Sequence, residues 1–465
     1  MEFVVGILLL LTFFGLAYYC IKGHNLMIGF LIISIVWTAL SLLGTLVASP
    51  TFIAENPILQ FGGDSGTTLV SILNKIYQSA PEGWGTTLVN VCWGAWFGRV
   101  LMETGIASTL IRKTVELGGD RPIITIVLLN VVTAFIFTAM MGAGPVIAIG
   151  VIVLPILMSL GIPKAIAMFT FMGSVSAGMY LNPVLQFSQL RAFICASDEM
   201  PEFSFSWYTS HWGIYALIIS VVVVSVLTGI YLKIGKKSHA WAAQAAPKNT
   251  QTDAPLIALI LPIVPVVLKI WLDFSVIGGF VIAGFAALFL CGKMNKSFKE
   301  NCQLVNKLYY DGVVDTAPLV GFLLTLPMFN TCASYASPYF KEVLGGIMPT
   351  NEYVVCALFA ALSILGFFRG PLTLYGCGAA TLGVLSAVGH FSVPFLFCVF
   401  TIPATTVNVG SCITQSWIAW GLAYTKVESR DYLKLSIPFA YICSILLYIL
   451  TAFTVTGLGP EWFLS

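Results

Sequence analysis

Apolar runs long enough to cross a lipid bilayer recur along this chain and limit what it can fold into. About 18 or more apolar residues in a row form a helix that crosses the roughly 30 Å of hydrocarbon in a bilayer. Of the 465 residues, 58% are hydrophobic and only 9% are charged. A soluble fold has too little interior to cover that much apolar surface. The sequence therefore predicts an all-α polytopic membrane protein with about 12–14 membrane segments and no soluble domain.

The sequence argues against several functional classes. The formal net charge is +2 and basic residues do not cluster with aromatic ones, so nucleic-acid binding is not expected. The chain contains no glycine-rich lysine loop for ATP and no Ser-His-Asp or zinc-protease motif. The 11 cysteines are scattered without a C-x-x-C pair, so neither a metal site nor a disulfide is predicted. We expect no enzyme activity and no cofactor.

A polar linker divides the chain almost in half. Residues 235–254 are rich in Lys, Ala, Gln and Pro and lack apolar periodicity, as linkers do. Lysines lie in and next to this linker and recur after residue 292, so the positive-inside rule places both regions in the cytoplasm. An odd number of apolar runs before the linker then puts the N-terminus outside and gives the second half the opposite orientation. The predicted domains are 1–234, the linker 235–254 and 255–465.

The two halves share a pattern of glycines and prolines. Weak similarity between halves of opposite orientation, with helix breaks at corresponding places, is typical of secondary transporters built as inverted repeats. We therefore predict two inverted repeats that contain broken or re-entrant helices. The corresponding stretches are 101–119 and 328–346, 141–145 and 368–371, and 174–183 and 403–412.

Each half contains a break that is suited to binding an anion. Gly142 and Gly144 bare the backbone before a proline, and a helix that starts there presents its positive end to an anion. Arg369 and Gly370 precede a proline at the corresponding place of the second half. A charged side chain at bilayer depth costs about 2.5–3.5 kcal/mol, so we expect Arg369 to face a ligand or a cavity. The alternatives are a plain helix kink, and an arginine near a helix end that binds lipid headgroups or a carbonyl group.

Two stretches of small polar residues in apolar surroundings complete the predicted substrate site. Hydroxyl and amide groups donate hydrogen bonds to an organic anion without adding a charge. Small residues also let membrane helices pack closely, which is the alternative interpretation. The candidates are Ser174, Ser176 and Asn182 in the first half and Thr405, Thr406, Asn408 and Ser411 in the second, with Thr373 near Arg369.

Three charged residues suggest a coupling ion or a structural ion pair. Arg99 and Glu103 lie four residues apart, so they share a helical face and are able to neutralise each other. The alternative makes Glu103 a proton carrier, because a desolvated carboxylate at bilayer depth is commonly functional. Asp315, where the second half enters the membrane, invites the same two interpretations. Glu103 and Asp315 are the candidates for ion coupling.

Residues 94–105, the amphipathic stretch 107–119, the glycine break 142–145 and the Gly-Ile-Pro at 161–163 resemble one transporter superfamily. The pattern is similar to the gluconate permease, citrate transporter and anaerobic dicarboxylate carrier branches of the ion transporter superfamily. The resemblance implies a secondary carrier of small organic anions that cotransports protons or sodium. It also implies a homodimer in which each protomer has a scaffold and a mobile transport domain that moves as an elevator. Residues 368–371 depart from the gluconate permease pattern, which leaves the substrate open.

The sequence as a whole predicts a symporter in the bacterial inner membrane that takes up a small carboxylate such as gluconate, citrate or a dicarboxylate. Its partners would be the organic anion, the lipid bilayer and a second copy of the chain. Three alternatives stay open at this stage. Two are transporters, namely a cation/proton antiporter of the same superfamily that uses Glu103 or Asp315, and an organic-anion exchanger. The third is a scaffold or polytopic enzyme without transport.

Overall fold

The computed structural model describes residues 1–463 except 22–23, 61–67, 119–121, 141, 196–199, 235–252, 347–348 and 376–377. In this part of the chain all regular secondary structure is helical. The predicted linker 235–254 falls almost wholly outside the described residues. At its end, the backbone N–H of Ala254 donates to Thr109 Oγ1 at 3.0 Å, and Asp253 forms an ion pair with Arg112.

The α-helices of the first half run from the N-terminus to the linker. They are α1 (Glu2–Ile21), α2 (Leu26–Val47), α3 (Pro50–Glu55), α4 (Leu69–Asn74), α5 (Ala80–Gly83), α6 (Gly85–Glu103), α7 (Ile106–Gly118), α8 (Pro122–Phe137), α9 (Ala143–Ser159), α10 (Lys164–Met179), α11 (Gln189–Ile194), α12 (Phe205–Tyr208) and α13 (Ile214–Ile234).

The second half contains fewer and longer helices. They are α14 (Val264–Leu272), α15 (Val276–Leu290), α16 (Phe298–Leu344), α17 (Glu352–Ala361), α18 (Gly378–Val388), α19 (Val393–Ile402), α20 (Ser416–Thr425) and α21 (Ser429–Thr454). Tighter 3-10 turns occupy Pro57–Leu59, Leu256–Ile263, Ser363–Arg369 and Pro460–Trp462, and π-helical turns occupy Lys75–Ser79, Pro183–Ser188, Thr209–Gly213 and Pro403–Val409.

Several of these helices have the length and composition of membrane spans. Among the described residues, Met27–Val47, Phe205–Lys233 and Ser429–Thr454 are each long and apolar enough to cross a bilayer. A fourth candidate is a bent pair, α17 with Ser363–Arg369, and six further apolar helices are shorter. The apolar side chains that α13 exposes at four-residue spacing, Ile214, Ile218, Val222 and Val226, form a lipid-facing stripe. The predicted all-α polytopic membrane fold is confirmed, and the number of segments remains a prediction.

Helix starts follow ordinary capping chemistry. The Asn25 side chain accepts from the N–H groups of Met27 and Ile28 at the start of α2. At the start of α16, Ser297 and Glu300 form a reciprocal capping box, which satisfies two otherwise unpaired N–H groups. The Ser297 hydroxyl and backbone donate to the Glu300 carboxylate and lower its pKa. These polar ends fix where the apolar helices begin.

The helix α16 is a 47-residue rod, much longer than the apolar run 311–330 on its sequence. It packs against α1, α2, α6 and α18 and so links both halves. The similar sequence of the first half is instead broken between α6 and α7, where Gly105 has a φ of 73°. Glycine adopts a positive φ without strain. The matching position of the second half is Cys332, which would be strained by a positive φ and instead lies inside α16. Similar sequence patterns at these two places therefore give one interrupted and one continuous helix.

Two fully buried helices form the centre of the molecule. All residues of α19 and those of α10 from Ile166 to Met179 are buried. Each helix is followed by a π-helical turn that begins at a proline, Pro183–Ser188 after α10 and Pro403–Val409 after α19. We name these turns the first π segment and the second π segment. A π-helical turn disturbs the regular backbone ladder and occurs frequently at functional sites.

Candidate functional site

The break in the second half combines a bend with unusual backbone geometry. The Ser363–Arg369 segment is bent by 64° from α17. Phe368 and Arg369 have φ angles of 53° and 61°, which lie in the left-handed region that costs most L-residues about 1–2 kcal/mol each. A methyl group on Gly370 would overlap the carbonyl oxygen of Leu365. Glycine is therefore required at 370 by lack of space, and two residues before it hold a strained backbone.

Arg369 is half-buried at this break. Its Nη1 donates to the carbonyl oxygen of Tyr375 at 3.1 Å, and the Tyr375 ring packs edge-on against Phe193 of α11. Between them lies Thr373, which is fully buried and whose Oγ1 has no hydrogen-bond partner among the described residues. The loop after the break thus brings the guanidinium and a buried hydroxyl into one region.

The second break lies directly against the second π segment. A methyl group on Gly366 would contact Pro403 Cβ at 3.1 Å and Val407 Cγ1 at 3.3 Å. The backbone N–H of Phe368 donates to Cys412 Sγ, just after this π segment, at 3.1 Å. The strained turn that carries Arg369 is therefore held on the same element as the predicted residues Thr405, Thr406 and Asn408.

The structure brings together the two polar stretches that the sequence suggested. The Tyr180 hydroxyl lies 2.6 Å from Thr406 Oγ1, and Gln186 Nε2 donates to Thr405 Oγ1. A methyl group on Gly410 would meet Ser176 Oγ at 2.5 Å. The end of α10 and the first π segment thus pack against the second π segment through polar contacts.

Most of the candidate polar groups are already used inside the protein. Ser174 Oγ donates to the carbonyl of Thr170 at 2.8 Å and Ser176 Oγ to that of Gly173 at 2.8 Å. Ser411 Oγ donates to the carbonyl of Thr406 at 3.0 Å. Each of these three hydroxyls donates its hydrogen bond to a backbone carbonyl of its own helical segment, as the packing interpretation predicts.

Asn408 is the exception within these two polar stretches. Its side chain is fully buried in the second π segment, and in the described part of the chain neither its amide nitrogen nor its amide oxygen has a hydrogen-bond partner. A buried polar group without a partner costs about 1–3 kcal/mol. Such a group in a packed interior needs an explanation, and a role in binding a ligand is one.

The break in the first half has a different construction. Gly142 has φ 88° and ψ 174°, a region that only glycine adopts readily. The Asn182 amide donates to the carbonyls of Met140 at 3.1 Å and Phe137 at 3.4 Å, so it holds the end of α8 at this break. Its Oδ1 accepts from the backbone N–H of Val184 at 3.1 Å. Asn182 therefore supports the break and connects it to the first π segment.

Arg99 pairs with Asp315 and not with Glu103. Arg99 Nε donates to Asp315 Oδ2 and its Nη2 donates to Asp315 Oδ1, both at 2.6 Å. A methyl group on Gly144 would overlap the Asp315 carboxylate, so this carboxylate lies against the start of α9. The nearest cation of Glu103 is Lys293, whose Nζ lies 3.6 Å away. The expected Arg99–Glu103 pair was wrong because α16 brings a better-placed carboxylate to the same guanidinium.

A cavity of about 260 Å³ lies beside this ion pair, between α6, α9 and α16. Its charged lining consists of Arg99 and Glu103 from α6 and Lys307 and Asp311 from α16. The two ion-coupling candidates are thus in one region, with Glu103 in the cavity wall and Asp315 next to it. In the described residues no group of three or more His, Cys, Asp and Glu side chains is arranged to hold a metal ion.

Sequence reasoning missed the residues that connect these parts. Tyr180, Gln186 and Lys307 were not candidates, although a glutamine in an apolar run is an available signal of a buried polar contact. The Arg99–Asp315 pair joins residues 216 positions apart, and local spacing gives no indication of it.

Comparison with known proteins supports the fold. No protein-family model matches the sequence, and no curated protein matches it. The chain is similar in structure to the YdaH transporter of Alcanivorax borkumensis, whose crystal structure was described as having an unusual topology. The TM-score is 0.55 at 13% sequence identity, and the match covers 92% of this chain and 98% of the other. At this identity the likeness establishes a shared fold over nearly the whole length of both chains.

Proposed function

We propose that this protein is a secondary active transporter that takes up a small organic anion together with protons or sodium. The fold it shares with a transporter supports the general class. A carboxylate cargo is supported by the side chains at the second break. The sequence resemblance to carriers of small organic anions also supports a carboxylate cargo.

The observation that carries the proposal is Asn408. Its amide is fully buried and has no partner among the described residues, on a π segment that packs against the strained turn bearing Arg369. An organic acid with a hydroxyl or carbonyl group would supply both the acceptor and the donor that this amide needs. Its carboxylate would be the partner of the guanidinium, which has five N–H donors and prefers to bind carboxylates in a two-pronged fork.

The remaining candidates take supporting roles in this proposal. The Thr373 hydroxyl is buried near Arg369 and available to a ligand, whereas Thr405 and Thr406 are fixed by Gln186 and Tyr180. These fixed hydroxyls would set the position of Asn408 in the second π segment. Since Gln186 and Asn182 both belong to the region of the first π segment, movement at one break would reach the other through these contacts.

We also propose, from the resemblance, a homodimer in the bacterial inner membrane that works by an elevator mechanism, with the N-terminus outside. The pairing of Asp315 with Arg99 favours an anion carrier over a cation/proton antiporter. A carboxylate that binds and releases cations needs to be accessible to them, and a fork with arginine at 2.6 Å competes with that role.

Purified protein in proteoliposomes tests the proposal. A thermal-shift panel of gluconate, citrate, succinate and lactate identifies the acid, and its uptake is then measured with an inward proton or sodium gradient. We expect saturable uptake that depends on one of the gradients. If no acid on the panel stabilises the protein and none is taken up, the proposed function is wrong.

Substitutions at two residues assign the site. Arg369→Ala and Arg369→Lys should abolish uptake, since neither provides the fork, whereas Arg430→Ala, at an exposed arginine of α21, should not change it. Asn408→Leu should reduce uptake strongly while thermal stability stays equal or rises, because an unpaired buried amide is replaced by an apolar group of similar size. Near-normal uptake by Arg369→Ala would remove Arg369 from the site, and a large loss of stability in Asn408→Leu would show that the amide is structural.

A further inference from the structure

We propose that the cavity beside the first break is a second anion site, which binds a small hydroxycarboxylate at Arg99 in competition with the internal carboxylate of Asp315. This inference stands on its own geometry. It requires neither the Arg369 site nor transport.

The first step is that the region already binds a carboxylate. Arg99 holds both oxygens of Asp315 in a fork at 2.6 Å, which is the geometry arginine uses for carboxylate ligands. The same carboxylate lies against Gly144 in the first turn of α9, a 17-residue helix. The start of a helix favours negative charge because its N–H groups and dipole point toward it. Two independent features of an anion site therefore converge on the position of the Asp315 carboxylate.

The second step is access for an external ligand. The Arg99 side chain is 30% exposed and the Asp315 side chain 16%, and Arg99 forms part of the cavity wall. The fork uses Nε and Nη2 and leaves Nη1 outside it. Lys307 from α16 supplies a second cation to the same cavity. An anion in the cavity would thus meet Arg99 directly and have Lys307 in the same cavity wall.

The third step is the chemical class of the ligand. Glu103 and Asp311 also line the cavity, and Glu103 is only loosely compensated by Lys293 at 3.6 Å. Carboxylates accept hydrogen bonds from hydroxyl groups and repel a second negative charge. The cavity volume of about 260 Å³ is below the roughly 300–1,000 Å³ typical of sites for drug-sized ligands. A small monocarboxylate with hydroxyl groups fits this lining better than a dicarboxylate does.

Competition with Asp315 follows from the fork. We infer that the ligand takes the Nε–Nη2 edge, because this edge holds a carboxylate against the start of α9. One guanidinium edge binds one carboxylate in two-pronged geometry, so this ligand displaces Asp315. The apparent affinity for the ligand is then reduced by the fraction of molecules in which Asp315 occupies Arg99. Removing the internal carboxylate should therefore strengthen ligand binding, which distinguishes competition from a structural role of Asp315.

Equilibrium binding of radiolabelled gluconate to the full-length protein in detergent tests this site. The Arg369→Ala background is used so that binding at the second break does not contribute, and ionic strength is held constant with sodium chloride. Asp315→Asn should tighten gluconate binding by roughly fivefold or more. Arg99→Gln should weaken it by about tenfold or more, and Lys307→Gln, at an exposed position, should weaken it less. Unlabelled gluconate should compete better than succinate.

The matched control is Arg112→Gln, which removes a partly exposed arginine of the neighbouring helix α7 that pairs with Asp253 and does not line the cavity, and it should leave gluconate binding unchanged. Loss of all gluconate binding in the Arg369→Ala background overturns the second site, whatever the outcome for transport. Weaker binding in Asp315→Asn with a monodisperse protein also overturns it. Should Asp315→Asn fail to fold, Lys307→Gln decides, because unchanged gluconate binding in that folded variant contradicts the proposal. Preference for succinate refutes the assigned ligand class.

Discussion

The two helix breaks occupy corresponding places in the sequence, but the backbone is interrupted in a different way at each. At the first break, glycine takes the unusual backbone conformation at Gly142, and a second glycine, Gly144, admits a carboxylate from α16. At the second break, Phe368 and Arg369 adopt left-handed conformations themselves, and Gly370 makes room for backbone. The first break is relaxed and binds a side chain of the protein, whereas the second is strained and packs through Gly366 against Pro403 and Val407 of the second π segment.

From this difference we expect the two breaks to have different roles. Backbone strain persists only where the surrounding structure enforces it, and it concentrates at ligand sites and switches. The second break carries such strain next to Asn408, while the first break has its arginine neutralised by Asp315. We therefore expect the backbone of the second break to change when the proposed ligand binds. At the first break, we expect the Arg99–Asp315 ion pair to persist until a ligand displaces Asp315.

The largest expected effect comes from lack of space at the second break. Gly370→Ala should destabilise the protein by about 3 kcal/mol, because the new methyl group overlaps the carbonyl oxygen of Leu365 and overpacking of this kind costs about 1–3 kcal/mol or more. The measurement is the fraction of monodisperse protein that remains after heating in detergent. Leu365→Ala should not rescue the variant, since the overlap is with backbone. Rescue by Leu365→Ala would show that the contact at this break is a side-chain contact.

The corresponding substitution at the first break should be rescued. Gly144→Ala places a methyl group on the Asp315 carboxylate, and we expect a loss of about 2 kcal/mol. Because the obstacle is a side chain, Gly144→Ala combined with Asp315→Ala should cost less than the sum of the two single variants, by about 1 kcal/mol or more. Heating in detergent again measures the effect. Strict additivity would mean that Asp315 leaves its position without cost and that the two breaks do not differ in this respect.

The sequence predicts the positions of the breaks better than it predicts which side chains pair with each other at them. Gly142, Gly144 and Gly370 stand out locally because glycine and proline act on the backbone of their own turn. The partner of Arg99 does not, because Asp315 reaches it only through the packing of α16 on α6. A local pattern therefore paired Arg99 with Glu103, four residues away, and missed a carboxylate 216 residues away.

Helix length is the other property that local patterns do not give. The chain contains Pro318, Pro327 and Pro338, which the rules for soluble helices treat as interruptions. All three lie inside the continuous helix α16, and membrane helices tolerate proline because neighbours satisfy the freed backbone groups. By contrast, the polar stretches were located correctly, since hydroxyl and amide residues inside apolar runs are visible without a structure. Tertiary contacts decide which of the seven polar candidates in these stretches has no hydrogen-bond partner among the described residues. This residue is Asn408.

The smallest expected effect separates the backbone requirements of the two breaks. Asparagine adopts the left-handed region more readily than other residues with a side chain, so Phe368→Asn should change stability by no more than about 1 kcal/mol, with relief of strain offsetting the lost apolar contact. At the first break, ψ of Gly142 is 174°, which lies outside the region that asparagine favours. Gly142→Asn should therefore cost about 1–3 kcal/mol, even though the nearest atom to an added methyl group, Thr316 Cγ2, is 3.8 Å away. Comparing the two asparagine variants by thermal unfolding in the same detergent keeps the introduced side chain the same at both breaks. Equal stability of the two would mean that both breaks make the same demand on the backbone, and the contrast between a relaxed and a strained break would not hold.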